Sequence, residues 1–405
     1  MKQLLLVTAF FCCSYISAQT TITSTTDGNA NNPFIWDCLC FPTPDDDVIV
    51  NHDVVMNVDW IINAGGSITI SASGSFIEDA NNRSILVDGA GSAFNNNGFT
   101  ELTSMAFTNG AEGTNTSDFL LDTVLYIGNN SSFTNSGVIV GTDSVLVNGI
   151  LINILGADLA LGDFWNNGTM TNAGTIFADS LLNTGTFNST GIIYCLDFGN
   201  NGPFTQSAEF FVESNFYNAD DITLASSAVL LVGNDMLTGD SLGGSASIIN
   251  DGAVSVGNDF LNTDQLSGSG RYCITNSSTN MGDVTGTLDI CDQSPGGGFD
   301  VNLGTVAGTV TFCSSACNVG VEELAATEIL IYPNPASESF TIEYSEQVKG
   351  KLTFELYNLL GELVLSDILS NTSNLINISS LNSGVYMCKV SDEFGSITTE
   401  RLVKE

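Results

Sequence analysis

Few side chains in this sequence could do chemistry, and most of those that could are carboxylates. The 405 residues include 45 Asp and Glu, 8 Lys and Arg and 1 His, which gives a formal net charge of −37. Acids stand together at Asp45-Asp46-Asp47 and at Asp220-Asp221, and paired carboxylates can hydrolyse a glycosidic bond. Adjacent acids in turns are more often solvated, so we predict no catalytic residue and no enzymatic activity.

The sequence has few of the basic residues that lyase catalysis or nucleic-acid binding requires. A polysaccharide lyase needs a base such as Lys or Arg and further cations for its acidic substrate, but between Lys2 and Lys349 the sequence contains Arg83 and Arg271 alone. His52 lies in VIVNHDVVM among alternating apolar residues, a pattern typical of a hydrogen-bonded turn or strand histidine. Nucleic-acid binding is disfavoured on the same ground, because neutralising phosphates requires clustered Lys and Arg.

The cysteines predict disulfides rather than a metal site. A Gly-rich stretch full of turns holds Cys273, Cys291, Cys313 and Cys317, where we expect two disulfides whose pairing the sequence leaves open. Zinc is disfavoured because these residues lack closely paired spacing apart from the C-x3-C at 313–317. Cys195 and Cys388 lie in apolar runs and are expected to be buried thiols. The disulfide candidates are Cys38, Cys40, Cys273, Cys291, Cys313 and Cys317.

Disulfides fit an exported chain, and residues 1–18 have the features of a secretory signal. They contain Lys2, an apolar run from Leu4 to Cys13 and a small-residue end, so cleavage is predicted between Ala18 and Gln19. The apolar run has about half the length that spanning a bilayer requires, which disfavours a membrane anchor. No later run reaches about 18 apolar residues, so the processed chain is expected to be soluble.

The region from about 120 to 265 repeats a short pattern of an acidic or small polar residue, an apolar pair and an Asn. The first apolar position recurs, in steps of 17 to 24 residues, at Phe164, Leu181, Phe198, Phe216, Met236 and Phe260. Short β-type runs alternate with Asn-Gly spacers, which tolerate positive φ and separate short strands. Strands that repeat about every 20 residues, without a 3.6-residue period, predict a right-handed parallel β-helix in which each repeat is one coil.

Stacking of coils explains the composition. Equivalent residues on adjacent coils lie about 4.8 Å apart, so Asn, Ser, Thr and apolar side chains form ladders readily, whereas like charges repel. The residues that precede the anchors are Asp163, Ser180, Asp197, Asn215, Asp235 and Asp259. Asp235 and Asp259 follow each other without a neutral residue between them, which indicates a longer coil or a bound cation. Ca²⁺ would suit such Asp and Asn oxygens, although no EF-hand loop or Gly-rich nonapeptide repeat occurs.

The two ends of the predicted solenoid differ from its middle. Residues 32–77 contain a Pro-rich, Cys-containing turn and then alternating apolar runs, and this stretch resembles the opening coils of many secreted bacterial β-helix proteins. Residues 268–317 are rich in Cys and Gly and are predicted to cap the exit. Among aromatics that could stack on sugars, Trp60, Phe164 and Tyr217 are expected in the core as coil anchors. Trp165 is the exception, because its neighbour Phe164 faces inward.

After a connector at 318–328 the Asn-Gly repeats end, and strands with clear period-2 alternation follow. In LTFELYN, Leu352, Phe354 and Leu356 alternate with their neighbours, and about seven such strands fit into residues 329–405, which predicts a small Ig-like antiparallel β-sandwich. The segments ILIYPNPASESFTIEYS, LYNLLGELVL, LNSGVYMCKV and GSITTERLVKE make this module resemble the type A C-terminal sorting domain of the type IX (Por) secretion system. The motif residues are Tyr332, Pro333, Asn334, Pro335, Gly361, Gly384, Tyr386 and Lys404. An ordinary Ig-like binding domain is the alternative.

The resemblance implies a route for the chain. The signal peptide would direct it to the periplasm, the outer-membrane translocon would recognise the sorting domain, and a sortase would remove that domain by cleavage within 318–329. The remainder would be released outside the cell or attached to surface lipopolysaccharide. The predicted domains are a signal peptide at 1–18, a β-helix body at 19–267, a Cys- and Gly-rich cap at 268–317, a linker at 318–328 and the sorting domain at 329–405.

Together these features predict an exported all-β protein that is adhesive or structural and binds a glycan or a surface along one face of a rod. A β-helix enzyme that degrades polysaccharides, either a lyase or a glycoside hydrolase, is one alternative. A structural solenoid stabilised by Ca²⁺ is another.

Overall fold

A computed structural model of the chain divides into two compact units, Met1–Val319 and Gly320–Glu405. The structure describes residues 20–141, 143–239, 246–294, 298–313, 317, 330–334, 336–343, 352–357, 363–369, 372–382, 384–392 and 395–404. The predicted signal peptide, its cleavage site at Ala18 and Gln19, and the predicted linker lie outside these residues. No helix among the described residues is long and apolar enough to cross a membrane.

The first unit is a parallel β-solenoid, and one of its faces is a 15-stranded sheet. Each strand of this face pairs in parallel with the equivalent strand of the next coil, as Ser132–Asn135 does with Ile150–Asn153. The strands, in stacking order, are Thr21–Thr23, Asp47–Val50, Ser67–Ile70, Ala93–Asn96, Glu112–Asn115, Ser132–Asn135, Ile150–Asn153, Thr169–Asn172, Thr186–Ser189, Phe204–Gln206, Asp221–Leu224, Ser247–Asn250, Gln265–Ser267, Asp283–Val284 and Thr305–Val306.

The rest of each coil forms two further strand positions, which merge into one long strand in the middle coils. The long strands, such as Asp158–Asn166, pair with both positions of the coils beside them. In chain order these strands are Gly28–Asn29, Asp53–Met56, Trp60–Ile62, Ser75–Glu78, Ser84–Asp88, Phe99–Thr108, Asp118–Ile127, Val138–Gly141, Ser144–Val147, Asp158–Asn166, Thr175–Asn183, Ile192–Asn200, Glu209–Val212, Phe216–Asn218, Val229–Val232, Met236–Thr238, Ala253–Val256, Phe260–Asn262, Arg271–Ile274, Ser278–Asn280, Asp289–Asp292, Val301–Asn302 and Thr311–Phe312.

The register confirms the repeat that the sequence predicts. Phe164 pairs with Leu181, Leu181 with Phe198, and the column continues through Phe216, Met236 and Phe260. All of these side chains are buried in one continuous apolar core, because alternate residues of each strand point inward. The predicted all-β fold, a parallel β-helix followed by a β-sandwich, is therefore confirmed.

Buried asparagines run through the solenoid in two ladders. In the first, each side-chain amide donates to the next carbonyl oxygen at 2.8 to 2.9 Å, and its members are Asn96, Asn115, Asn135, Asn153 and Asn172. In the second, the distances are 2.7 to 2.9 Å, and its members are Asn166, Asn183, Asn200 and Asn218. Because a buried amide costs free energy unless it is hydrogen-bonded, these ladders tie each coil to its neighbours in one register.

The two ends of the solenoid are built differently from its middle. At the start, a 3-10 turn at Pro33–Ile35 brings the fully buried Trp36 over the core, where Trp60 packs against it at 6.2 Å between ring centroids. At the other end, coil strands continue past residue 267 to Thr311–Phe312. The segment predicted as a separate cap therefore begins as ordinary coils, since its apolar residues keep the same alternation.

The second unit contains seven described strands in two antiparallel sheets. One sheet holds Leu330–Tyr332, Ser339–Glu343 and Ser373–Asn377, and the other holds Leu352–Tyr357, Leu363–Leu369, Gly384–Asp392 and Gly395–Lys404. A second core, which includes Phe340 and Phe354, lies between the sheets. This arrangement matches the predicted sandwich.

Candidate functional site

An aromatic column on the outside of the solenoid is the most distinctive feature of its surface. The register places Ala160, Phe177, Tyr194 and Phe211 side by side on successive coils. The ring centroids of Phe177 and Tyr194 are 5.1 Å apart at 7°, and those of Tyr194 and Phe211 are 4.7 Å apart at 4°. The coil spacing sets these distances, so the rings stack face to face.

This aromatic column forms one wall of a groove with a volume of about 960 Å³. The groove begins at Val140, ends at Ser255 and crosses seven consecutive strands, or about 29 Å at the usual strand spacing. Its lining is mostly aliphatic and aromatic, with carboxylates at Asp179 and Glu213. Such a concave, largely apolar surface with a few polar groups is the usual form of a binding site.

The electrostatics of the groove are acidic. Burial raises the pKa of the Tyr194 hydroxyl, and the negative charge of Glu209 adds to the shift. Burial also raises the pKa of the Cys195 thiol, which lines the groove, and Asp197 acts in the same direction. Both groups are therefore neutral near pH 7, and the groove presents apolar surface beside two carboxylates.

In the first acidic cluster, Asp45-Asp46-Asp47, carboxylates accept hydrogen bonds from neighbouring residues. Burial of Asp46 would raise its pKa, but hydrogen bonds from Thr20 and Thr43 outweigh burial and lower it. Asp47 accepts a 2.6 Å hydrogen bond from Ser67, on the next coil. These contacts give the cluster a structural role, in which the acids stabilise a turn and link two coils.

Both carboxylates of the second acidic cluster, Asp220-Asp221, also accept hydrogen bonds. The Asp221 carboxylate accepts a 2.6 Å hydrogen bond from the Ser247 hydroxyl on the next coil, and the Asp220 carboxylate accepts from the Asp221 backbone at 2.6 Å. Neither acid belongs to the groove lining.

His52 lies between two strands of the opening coils, with Nδ1 3.0 Å from the Ser24 hydroxyl. The sequence also contains Gly239-Asp240-Ser241-Leu242-Gly243, which has the G-x-S-x-G spacing of a hydrolase nucleophile turn. Residues 240–245, which include Ser241 of this motif, lie outside the described part of the chain.

The aromatic residues fall on both sides of the strands. Trp60 and Phe164 are buried as predicted, and Trp165 is 42% exposed, also as predicted. Tyr217 was expected in the core, and this expectation is wrong, because the side chain is 48% exposed. Its neighbour Phe216 occupies the inward position of the same short strand, so alternation turns Tyr217 outward.

The predicted Asp235–Asp259 contact has a simpler explanation than a cation. The Asp235 carboxylate accepts a 2.7 Å hydrogen bond from the Asn258 amide and a 3.2 Å bond from the Asp259 backbone. The Asp259 carboxylate accepts in turn from Asn276 and Ser277. Among the described residues, no three His, Cys, Asp or Glu side chains form a group that could hold a metal ion.

The cysteine candidates form three disulfides: Cys38–Cys40, Cys273–Cys317 and Cys291–Cys313. The sequence left the pairing of the last four open. The register explains it, because Ile290 pairs with Phe312, which places Cys313 beside Cys291. Cys273 lies one strand further along the solenoid and bonds Cys317. Cys195 and Cys388 are buried thiols.

The predicted sorting motif connects the start of the second unit with its last strand. Asn334 accepts a 2.9 Å hydrogen bond from the Val403 backbone, and Lys404 donates to the Ser337 carbonyl at 2.5 Å. Pro333 follows Tyr332 in the same turn. These contacts hold Asn334 and Ser337 beside the last strand.

The remaining motif residues stabilise local structure. The Tyr386 hydroxyl donates a 2.8 Å hydrogen bond to the Asn382 carbonyl. Gly384 begins the strand Gly384–Asp392, which contains Tyr386. The Tyr332 hydroxyl donates to the Glu343 carboxylate. Pro335 and Gly361 lie outside the described residues. The roles of the motif residues in sorting stay predictions.

Comparison with known proteins identifies the second unit. Residues 330–405 match the family described as the secretion system C-terminal sorting domain. No curated protein and no solved structure gives a significant match to the chain. The protein is thus a β-solenoid that carries a secretion-system sorting domain. This domain indicates export by the type IX secretion machinery, with which it interacts, to the cell surface or the extracellular space.

Proposed function

We propose that the chain is a non-enzymatic rod, displayed at the cell surface or secreted, whose solenoid adheres to a glycan or another surface. The observation that supports this proposal is the apolar groove, which runs across seven strands and is bordered by the stacked rings of Phe177, Tyr194 and Phe211. An elongated groove suits an extended polymer, because each coil offers the same kind of contact at a regular spacing.

The same proposal includes the route of export. Residues 1–18 act as a signal peptide that is cleaved between Ala18 and Gln19 in the periplasm. The second unit is a type A sorting domain that the outer-membrane translocon recognises and a sortase removes within 318–329. The solenoid is then released or attached to surface lipopolysaccharide.

One observation favours a second candidate function, the hydrolysis of a glycan. The register places Asp179 and Glu213 in one outward column, two coils apart, with Leu196 between them. Two coil steps span about 10 Å between backbones, which is near the carboxyl separation of inverting glycosidases. Binding without cleavage remains our proposal, because both acids lie along one side of the groove rather than across it.

A polymer sedimentation assay tests the proposal. The purified full chain, with its disulfides oxidised, is mixed with insoluble cellulose, chitin, β-1,3-glucan and mannan in the presence of Ca²⁺, and the polymer is pelleted. We expect depletion of the protein from the supernatant by at least one polymer, with no new oligosaccharides by mass spectrometry. Release of oligosaccharides that is abolished by Asp179→Asn or Glu213→Gln would establish hydrolysis instead. Failure to sediment with any polymer would contradict a glycan-binding role.

A further inference from the structure

The stack of aromatic rings in the groove ends at an uncovered face. Tyr194 lies between two parallel rings, so both of its faces are covered. Phe177 has a ring on one side only, because the next residue of the column is Ala160, whose methyl group cannot cover an aromatic face. Phe177 is accordingly 46% exposed. The coil at Ala160 therefore leaves a gap where one further flat ring would continue the stack.

The gap at Ala160 belongs to the groove rather than to open surface. Val140, one coil earlier, and Gly162, on the same coil, also line the groove. The groove lining also contains Asp179, which follows Phe177 by two residues in the sequence. A ring held in the gap would thus contact an aromatic face on one side, in a groove whose lining also contains the Asp179 carboxylate.

Charge limits the chemistry of the ligand. The described residues that line the groove include Asp179 and Glu213 but no Lys, Arg or His. The whole chain carries a formal net charge of −37, which adds repulsion toward polyanions. The groove therefore suits an uncharged ligand, or one that bears amino groups, and is unsuited to uronates, sulfated sugars and phosphates.

The backbone of the solenoid argues against a peptide as the occupant. Within the middle coils each strand pairs with both of its neighbours, as Ile192–Asn200 does, so the groove offers no free strand edge. An extended peptide would bury N–H and C=O groups against apolar side chains without partners, at a cost in free energy. A pyranose ring places C–H groups on its faces and hydroxyls at its rim, which matches an apolar wall beside carboxylates.

We infer that the groove binds an unbranched polysaccharide that is uncharged or carries amino groups, and that one sugar ring stacks on the open face of Phe177 above Ala160. Hydroxyl or amino groups of the bound sugars donate hydrogen bonds to the carboxylates of the groove lining, Asp179 and Glu213. This inference rests on the proposed glycan-binding function and adds to it the class of ligand and the position of one subsite.

Filling the gap tests the inference. Calorimetry on the full chain uses hexasaccharides of β-1,4-linked glucose, mannose, N-acetylglucosamine and glucosamine, with polygalacturonate as the anionic probe. Ala160→Phe should extend the stack without lowering the thermal midpoint, and should weaken binding of the preferred hexasaccharide about ten-fold, the size that loss of one ring stack produces. Phe177→Leu, which removes the open face, should weaken binding by a similar factor. Leu182→Phe is the matched control, because Leu182 is exposed in the Trp165 column outside the groove lining, and it should leave affinity unchanged.

The outcomes separate the inference from the proposed function. Tight binding of a neutral or amino hexasaccharide that neither Ala160→Phe nor Phe177→Leu weakens would overturn the subsite and leave glycan binding intact. Binding of polygalacturonate in preference to the other probes would overturn the ligand class. If the wild-type chain binds none of the hexasaccharides and sediments with none of the insoluble polymers, the proposed function itself fails.

Discussion

Asn183, in the middle of the second ladder, uses both ends of its buried side chain. Asn183 donates to Asn200 at 2.8 Å and to the Gly202 carbonyl at 3.2 Å, and it accepts from Asn166 at 2.7 Å. Asn183→Ala removes these bonds and leaves buried partners unsatisfied, so we expect a loss of about 3 kcal/mol and a fall in the thermal midpoint of roughly 6–12 °C. Circular dichroism during heating measures the shift.

Two further variants provide comparisons for the thermal midpoint of Asn183→Ala, one at the exposed Asn167 and one at Thr238 in the same ladder. Asn167→Ala changes an exposed side chain of the same kind and should shift the midpoint by no more than about 2 °C. Thr238, where Asn218 donates at a longer 3.3 Å, interrupts the ladder, so Thr238→Asn should stabilise the fold modestly. Equal shifts for Asn183→Ala and Asn167→Ala would contradict a stabilising role for the buried ladder.

The ion pair between Asp79 and Arg83 predicts a specific pH dependence. The Arg83 guanidinium donates to both Asp79 oxygens, at 2.7 and 3.0 Å, and lowers the pKa of that carboxyl from 3.8 to about 2. Because folding lowers this pKa, the stabilisation is fully present above about pH 4 and is lost as the pH falls toward 2. The thermal midpoint of the wild type should therefore exceed that of Asp79→Asn at pH 6 and converge with it near pH 2. A difference that stays constant with pH would show that the carboxylate charge is irrelevant.

The sequence predicts whether a side chain faces the core or the solvent at some positions and not at others. The anchor positions predicted the buried column at Phe164 because an inward apolar residue must recur once per coil. Tyr217 was misplaced because a three-residue strand gives too short a pattern to fix which aromatic faces inward. The aromatic column of the groove was missed, although a signal existed: Ala160, Phe177 and Tyr194 each lie four residues before an anchor. An extra residue before Phe216 breaks this spacing, so Phe211 joins the column only in the three-dimensional register.

At the scale of a coil, glycines allow successive turns to approach closely. A Cβ on Gly185 would lie 2.1 Å from the Gly168 carbonyl oxygen of the previous coil, and one on Gly202 would lie 2.3 Å from the Gly185 oxygen. Gly185→Ala would therefore push two coils apart and should cost about 3 kcal/mol, at the upper end for overpacking. Gly308→Ala, where nothing lies within 4 Å of an added Cβ, is the matched control and should change stability by less than about 0.5 kcal/mol. Denaturant midpoints compare the two variants, and equal midpoints would mean that coil contact at Gly185 is unimportant.

Element boundaries were predictable where the repeat was regular and not where it lengthened. In the middle of the body the steps of 17 and 18 residues are nearly constant, so strands and turns follow from the anchors. Toward the exit the coil steps vary between 18 and 24 residues. The Cys- and Gly-rich composition there suggested a cap, but the structure still has strands up to Thr311–Phe312. The disulfides Cys273–Cys317 and Cys291–Cys313 fasten the segment beyond these strands to the last coils, a contact that composition alone does not reveal.

For the whole molecule, the match of residues 330–405 to a sorting domain predicts that export depends on the second unit. Deleting 329–405 should leave the solenoid folded, because its core and disulfides lie within the first unit, yet should strand it in the periplasm. Cell fractionation and protease treatment of intact cells measure its location. Ile368→Ser, at an exposed position of the sorting domain, is the control and should be exported normally. Appending 329–405 to an unrelated periplasmic protein should bring that protein to the cell surface. Normal surface display of the truncated solenoid would contradict the assignment of residues 329–405 as the sorting domain.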